Sequence, residues 1–361
     1  MGCAATQNET YFAERFSNNE RKFVLKAVNL INFEGPRSWK LVSHSTTNLQ
    51  PDEVRVKVKA ASLNYRDLMV SRGLYNPQLP LPAVPISDAA GEVIEVGAAV
   101  SDLVVGDRVA TTFFQDWIEG PLKPVYFQGA LGGEAPGVLA QEIVLKSRGL
   151  IRFPDHLSFH EASTLPCAAL TAWNALFELG SLQPNQTVLI QGTGGVSLFA
   201  LQFAKLAGAR VIATTSGDEK AELLREMGAT AVVNYKKNPR WGHAVQDLTA
   251  GVGVDLVVEV GGAGTLEQSL QAIATGGQIS AIGVLTGLDA LTPLFPLLVR
   301  QVKMQGVFVG SKAMFERMNS AIEFHRLRPL VDRVFPLDEA AEALEYLASG
   351  SHRGKVVIEV G

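Results

Sequence analysis

From about Ser158 to Val309, short apolar runs of strand length alternate with stretches of helical pattern, and the turn after the first run is built largely of glycine. Strands that are apolar along their whole length need cover on both faces, and a parallel sheet with helices on each side provides it. The runs Thr187 to Gln191, Arg210 to Thr214, Ala231 to Asn234, Val254 to Val260, Gln278 to Ile282 and Met304 to Val309 are the expected strands. Six of them complete a doubly wound α/β sheet.

The glycine-rich turn reads Gly192-Thr193-Gly194-Gly195-Val196-Ser197 and opens a helix expected over Val196 to Ala207. Gly192 permits the tight bend. Gly194 lets backbone N–H groups approach a pyrophosphate at the positive end of that helix, and Thr193, Gly195 and Val196 line the same turn. Ser197 stands where the fingerprint prefers Gly or Ala for close packing. Such turns also join strands to helices for structural reasons alone, but the strand, turn, helix, strand context makes this the dinucleotide site of a Rossmann-type domain. An NAD-specific site places a carboxylate at the tip of the second strand. Here Thr215 and Ser216 occupy that tip, and Lys220, one helical turn on, suits a 2′-phosphate, so NADPH is the expected cofactor. On the competing reading Lys220 is a solvated helix residue and Asp218 a helix cap.

Upstream, from Lys22 to about Leu150, alternating stretches such as Val54 to Lys59 and Gly91 to Gly97 are bounded by Gly, Pro and Asp. They predict a small antiparallel, barrel-like domain. The strand, helix and strand at Val331 to Phe335, Asp338 to Ser349 and Lys355 to Val360 are expected to return to it. A polar tail over 1–22, a catalytic domain over 23–157 and 326–361, and a dinucleotide-binding domain over 158–325 follow. A chain of 361 residues with 47% hydrophobic content supports two cores better than one.

A net charge of −4 without a basic stripe argues against nucleic acid as a partner. The two cysteines, Cys3 and Cys167, cannot build a disulfide framework or a four-cysteine zinc lobe, which fits a reducing, cytoplasmic setting. The most apolar stretch, Gly276 to Val299, is broken by Asp289, Pro293 and Pro296, so no membrane span is expected. The start Met1-Gly2-Cys3 matches an acylation pattern, myristate on Gly2 with Cys3 as a second site, although so short a pattern often arises by chance.

Further motifs carry a family resemblance. They are Ser62 to Asp67 (SLNYRD), Gly91 through Gly97, Gly106 to Val109, Leu165 to Trp173, the glycine turn, and Gly354 to Val357. From Lys22 onward the chain resembles zinc-independent members of the medium-chain dehydrogenase/reductase superfamily, in the quinone-oxidoreductase-like branch. The resemblance implies a GroES-like, mainly antiparallel β-barrel domain beside the Rossmann sheet, and a homodimer. Zinc-dependent relatives have Cys where this chain has Asn64 and His where it has Ser87; of three ligand positions only Cys167 survives, and one thiol cannot hold a catalytic zinc. No metal is therefore expected.

By the same resemblance Asn64 and Tyr75, eleven residues apart, line a metal-free site. Tyr75 would donate its proton or a hydrogen bond to the substrate oxygen, with water as the other proton source, and the Asn64 amide would orient it; the plainer reading makes Asn64 a turn former and Tyr75 a loop aromatic. Thr171 would lie near the nicotinamide, Ser216 and Tyr235 near the adenosine phosphate, and Val260, Gly283 and Val309 along the nicotinamide ribose and ring. Asp67 is expected to stabilise its helix start. The aromatics of Phe113 to Gly137 suit either a substrate-pocket wall or the cover of a core. The implied activity is NADPH-dependent reduction of a quinone, enone or related small carbonyl. Alcohol oxidation with NADP, or cofactor binding without turnover, are its rivals.

Overall fold

The computed structural model describes residues 25–45, 47–289, 291 and 294–361, so the polar tail with Gly2 and Cys3 lies outside the described residues. The strands β1 (Leu25–Leu30) and β2 (Trp39–His44) form an antiparallel ribbon. Next come β3 (Glu53–Ser62), β4 (Asp88–Val96), β5 (Arg108–Thr111), β6 (Glu142–Lys146) and β7 (Leu150–Arg152). These five pair antiparallel, and β3 is their centre.

The alternating region then supplies β8 (Thr187–Gln191), β9 (Arg210–Thr215), β10 (Ala231–Asn234), β11 (Val254–Glu259), β12 (Ile273–Ala281) and β13 (Lys303–Gly306). All six are parallel neighbours in the order β10-β9-β8-β11-β12-β13. The chain reverses direction across the sheet between β8 and β11, which opens a crevice at their carboxyl ends. Every residue of β8 is buried, so its apolar run is explained by cover on both faces. Two boundaries differ from expectation. β12 begins at Ile273 and runs through Gly276 and Gly277, while β13 stops at Gly306, before Val309.

Finally β14 (Val331–Pro336) and β15 (Lys355–Glu359) go back to the first sheet, giving the path β14-β15-β3-β4-β5-β7 with β6 also on β3. As expected, the last segment completes the early sheet. β15 pairs parallel with β14 and antiparallel with β3. One core lies within the first sheet's domain around Val54, Val56, Leu139 and Ile358, and two others cover the faces of the parallel sheet. Among the described residues no helix is long and apolar enough to cross a membrane.

Candidate active site and cofactor crevice

The glycine turn leaves β8 with Gly192 at φ +74°, a backbone that favours glycine, and its N–H donates to Thr214 O at 2.7 Å. A side chain on Gly192 or Gly194 would point into open space, where a ligand can approach the backbone. The helix begins at Gly195, one residue earlier than expected, and runs to Leu206. Its first-turn N–H groups have no acceptor within the helix, the arrangement on which anion sites are built. Ser197 is accommodated because its buried Oγ donates to Gln191 O at 2.7 Å, which satisfies the hydroxyl inside the turn.

The other expected cofactor residues gather along the carboxyl ends of the strands. Thr215, at the tip of β9, is buried with its Oγ1 lacking a partner among the described residues, an orphan polar atom beside Ser216. Tyr235 follows β10, half of it solvent-facing, with its N–H on Thr215 O at 2.9 Å. The Lys220 ammonium donates to Gly350 O at 2.8 Å, and burial holds its pKa below the usual lysine range, helped by nearby Arg353. The Asp218 carboxylate pairs with Lys237 at 2.7 Å and does not cap its helix; Gly217 holds the cap position.

Val260, Gly283 and Val309 stand after β11, β12 and β13. A buried carboxylate, Glu259, accepts from Gln191 Nε2 at 2.6 Å, Thr265 Oγ1 at 2.6 Å and the N–H of Gly261 at 2.8 Å, so every strut of this end is hydrogen-bonded. A Cβ on Gly283 would collide with the Val260 carbonyl, which explains glycine there. Val309 takes φ +55°, and its carbonyl accepts from Asn174 Nδ2 at 2.7 Å. Thr171 is buried on the helical segment Leu165–Glu178, between two wider π-type turns.

The metal-free site begins where β3 ends. Asn64 opens the helix Tyr65–Ser71, and its N–H donates to Asp67 Oδ2 at 2.7 Å, so Asp67 does hold the helix start. Burial pushes the Asp67 carboxyl up to about 6, against the pull of the Arg66 guanidinium. Ser87 Oγ donates to Asp88 Oδ1 at 2.6 Å, and Asp88 Oδ2 accepts the Cys167 N–H at 3.1 Å. Burial pushes the Cys167 thiol up to about 12, which favours the protonated thiol. These residues do not fit a catalytic zinc: an amide, a hydroxyl and a protonated thiol occupy the three ligand positions.

Tyr75 lies beside Arg66, whose guanidinium sits 5.3 Å from the Tyr75 ring centre and 4.3 Å from that of Phe113. Burial raises the Tyr75 pKa and Arg66 opposes it. The hydroxyl therefore carries its proton at neutral pH. Arg66 Nη2 donates to Leu131 O, while its buried Nε and Nη1 have no partner among the described residues. Asn64 Nδ2 is likewise buried and unpartnered. The two Arg66 donors lie close to the Tyr75 ring, and Asn64 Nδ2 stands two residues before Arg66 at the same helix start.

Two residues here escaped the sequence reading. Arg66 is visible only inside the SLNYRD motif, and Lys355 only as a strand residue of the Gly354 to Val357 motif. Lys355 is buried, and its Nζ donates to Leu63 O at 2.5 Å and Asn64 Oδ1 at 2.6 Å. The aromatic loop resolves mainly as core: Phe113, Phe114 and Trp117 are buried, and Phe113 and Phe114 meet Phe308 edge-on or tilted.

Comparison with known proteins now decides the lineage. Residues 50–155 match the alcohol dehydrogenase GroES-like domain family and residues 195–324 the zinc-binding dehydrogenase family. A zinc-type alcohol dehydrogenase-like protein of Schizosaccharomyces pombe is 46% identical over 319 residues, which is 86% of this chain and 92% of that protein. The chain belongs to the medium-chain dehydrogenase/reductase superfamily. Among solved structures, a quinone oxidoreductase from Coxiella burnetii superposes with a TM-score of 0.76 at 28% identity, covering 93% of this chain and 99% of that one. An NAD-dependent alcohol dehydrogenase superposes with a TM-score of 0.86 at 34% identity, covering 93% and 100%. The protein is thus a quinone-oxidoreductase-like oxidoreductase, and its superfamily uses a nicotinamide cofactor. The zinc in its relatives' names does not carry over to the residues at Asn64, Ser87 and Cys167.

Proposed function

We propose that this oxidoreductase uses NADPH to reduce a quinone, enone or related small carbonyl without a metal. The observation that carries the reading is the group of donors: Tyr75 protonated beside a buried cation, with Arg66 Nε, Arg66 Nη1 and Asn64 Nδ2 unpartnered among the described residues. When bound, the nicotinamide supplies the hydride. The chain's own work is to hold the substrate oxygen, spread the negative charge that grows on it over Asn64 and Arg66, and deliver the Tyr75 proton. The resulting phenolate would rest against Arg66 until solvent reprotonates it. Gly192 to Val196 hold the pyrophosphate, Thr215, Ser216, Tyr235 and Lys220 the adenosine end, and Thr171, Val260, Gly283 and Val309 the nicotinamide end.

The test is NADPH oxidation over a panel of quinones, enones and aldehydes, set against NADP reduction with alcohols. Faster alcohol oxidation would reverse the assignment, and NADPH binding with no consumption across the panel would leave a binding protein. Chelation should not matter. Activity is expected to survive prolonged treatment with a strong chelator, and elemental analysis should find well below about one zinc per chain, since a catalytic zinc needs about three protein ligands. Stoichiometric zinc would overturn the metal-free reading.

A homodimer belongs to the same proposal. β13 is the edge of the parallel sheet, all four of its residues are exposed, and nearby Leu294, Phe295 and Leu298 are 68%, 73% and 72% exposed. An open edge flanked by an apolar patch suits self-pairing with a second copy. Phe295→Asp with Leu298→Asp should halve the mass measured by light scattering, and an unchanged mass would place any interface elsewhere. The two-cysteine composition supports a cytoplasmic setting.

A further inference from the structure

Lys355 occupies a place that none of the expected roles explains. It lies on β15, and the chain brings it in through two anchors: the Gly354 N–H donates to Thr193 O at 2.8 Å, and the Lys355 N–H donates to Leu330 O at 3.0 Å. Its stem crosses the start of the cofactor helix so closely that a Cβ on Gly195 would lie 2.6 Å from Lys355 Cδ. Gly195 is therefore glycine partly to admit this side chain. The ammonium then reaches Leu63 O and Asn64 Oδ1, so one residue touches both the cofactor turn and the candidate catalytic amide.

An amide is a donor on one side and an acceptor on the other, and an N-cap Asn normally spends its oxygen on its own helix. Here the oxygen is taken by an ammonium, which has donors and no acceptor. Turning the amide over would bring two donors together inside a buried site, leaving the ammonium with Leu63 O alone and the amide oxygen without its donor. Among the described residues the Asn64 Nδ2 group is left without a partner.

We propose that Lys355 is a positioning residue that locks the Asn64 amide with its NH2 presented as a donor to the substrate oxygen, and that couples this orientation to the cofactor turn through Gly195 and Thr193. The inference rests on the proposed role of Asn64. Lys355 contacts neither reacting atom in this scheme; it acts through the amide. Burial lowers the Lys355 pKa, against the opposing pull of Asp88, Cys167 and Asp67, and Lys355 in turn acts on His352.

The test uses the full-length enzyme and whichever quinone or enone it turns over. Asn64→Asp keeps an acceptor for Lys355 and removes the donor, so the fold should persist while kcat falls. Lys355→Met keeps the stem and removes the ammonium, and kcat should drop by about tenfold, as expected for one lost charge-assisted hydrogen bond, with Kd for NADPH changed far less. Lys355→Met combined with Asn64→Ala should be no slower than Asn64→Ala alone, because the second change removes what the first had positioned. Losses that multiply, or wild-type kcat in Lys355→Met, would overturn the proposal.

A silent Asn64→Ala would instead sink the catalytic role of Asn64, and a readout independent of turnover then judges Lys355. In protein labelled with 15N-asparagine, the Asn64 NH2 signals are identified by their loss in Asn64→Ala. They should shift or broaden in Lys355→Met if the amide is released, and unmoved signals would refute the lock. Should Lys355→Met fail to fold, Lys355→Gln retains a donor without the charge and supports the same comparisons.

Discussion

Tyr75→Phe is expected to lower kcat by about a hundredfold or more, the usual scale for a lost general acid, while NADPH binds as before. The substitution keeps the ring against Arg66 and removes only the hydroxyl, so packing in the half-buried loop is preserved. Burial keeps that hydroxyl protonated, and the Arg66 cation lowers the cost of the phenolate left after transfer. Both conditions are needed in a proton donor. Steady-state kinetics with quinone or enone, together with fluorescence titration of NADPH, would measure the two effects separately. A fall of only a few-fold would make water the donor and Tyr75 a wall of the pocket.

Lys220→Glu is expected to raise the KM for NADPH by about ten- to a hundredfold, the scale of a charge-assisted contact to phosphate, and the KM for NADH much less. The structure sharpens this test because the ammonium already holds Gly350 O, five residues before Lys355. If that contact were its whole function, the loss would loosen the 350–354 segment that touches Thr193 and would weaken both cofactors alike. Unequal effects identify a phosphate ligand. Equal effects identify a brace and remove the main support for NADPH over NADH.

The parallel sheet was legible because burial on both faces leaves its strands apolar from end to end, as in β8. The errors fall where glycine and crevice geometry intervene. Gly276 and Gly277 look like a turn in sequence, yet they lie within β12, and Gly276 carries the positive φ there. Val307 and Val309 look like strand continuing, but the chain leaves the sheet at Gly306 so that Val309, in a left-handed conformation, can offer its carbonyl to Asn174. The candidate site was half visible. Asn64 and Tyr75 were named through the family resemblance and their spacing of eleven residues, whereas Arg66, although inside the SLNYRD motif, and Lys355 acquire meaning only from tertiary placement. A lysine in a strand normally reads as outward-facing, and nothing local to Lys355 says that Leu63 and Asn64, almost three hundred positions earlier, await its ammonium.

The return of β15 to lie beside β3 has a consequence for biosynthesis. A ribosome makes β3 before the whole of the parallel sheet and β15 after it. Until the last strand emerges, one margin of β3 near Ala60 to Ser62 has no neighbour, and the start of the helix at Asn64 lacks its buried lysine. The half with the parallel sheet, by contrast, has all six of its strands in one uninterrupted stretch and can assemble once the helix after β13, which adds Phe315, Met318 and Ile322 to its core, is released. Completion of the catalytic half therefore follows that of the other. A nonsense codon between β14 and β15 would leave the parallel sheet with its covering helices and deprive Asn64 of Lys355.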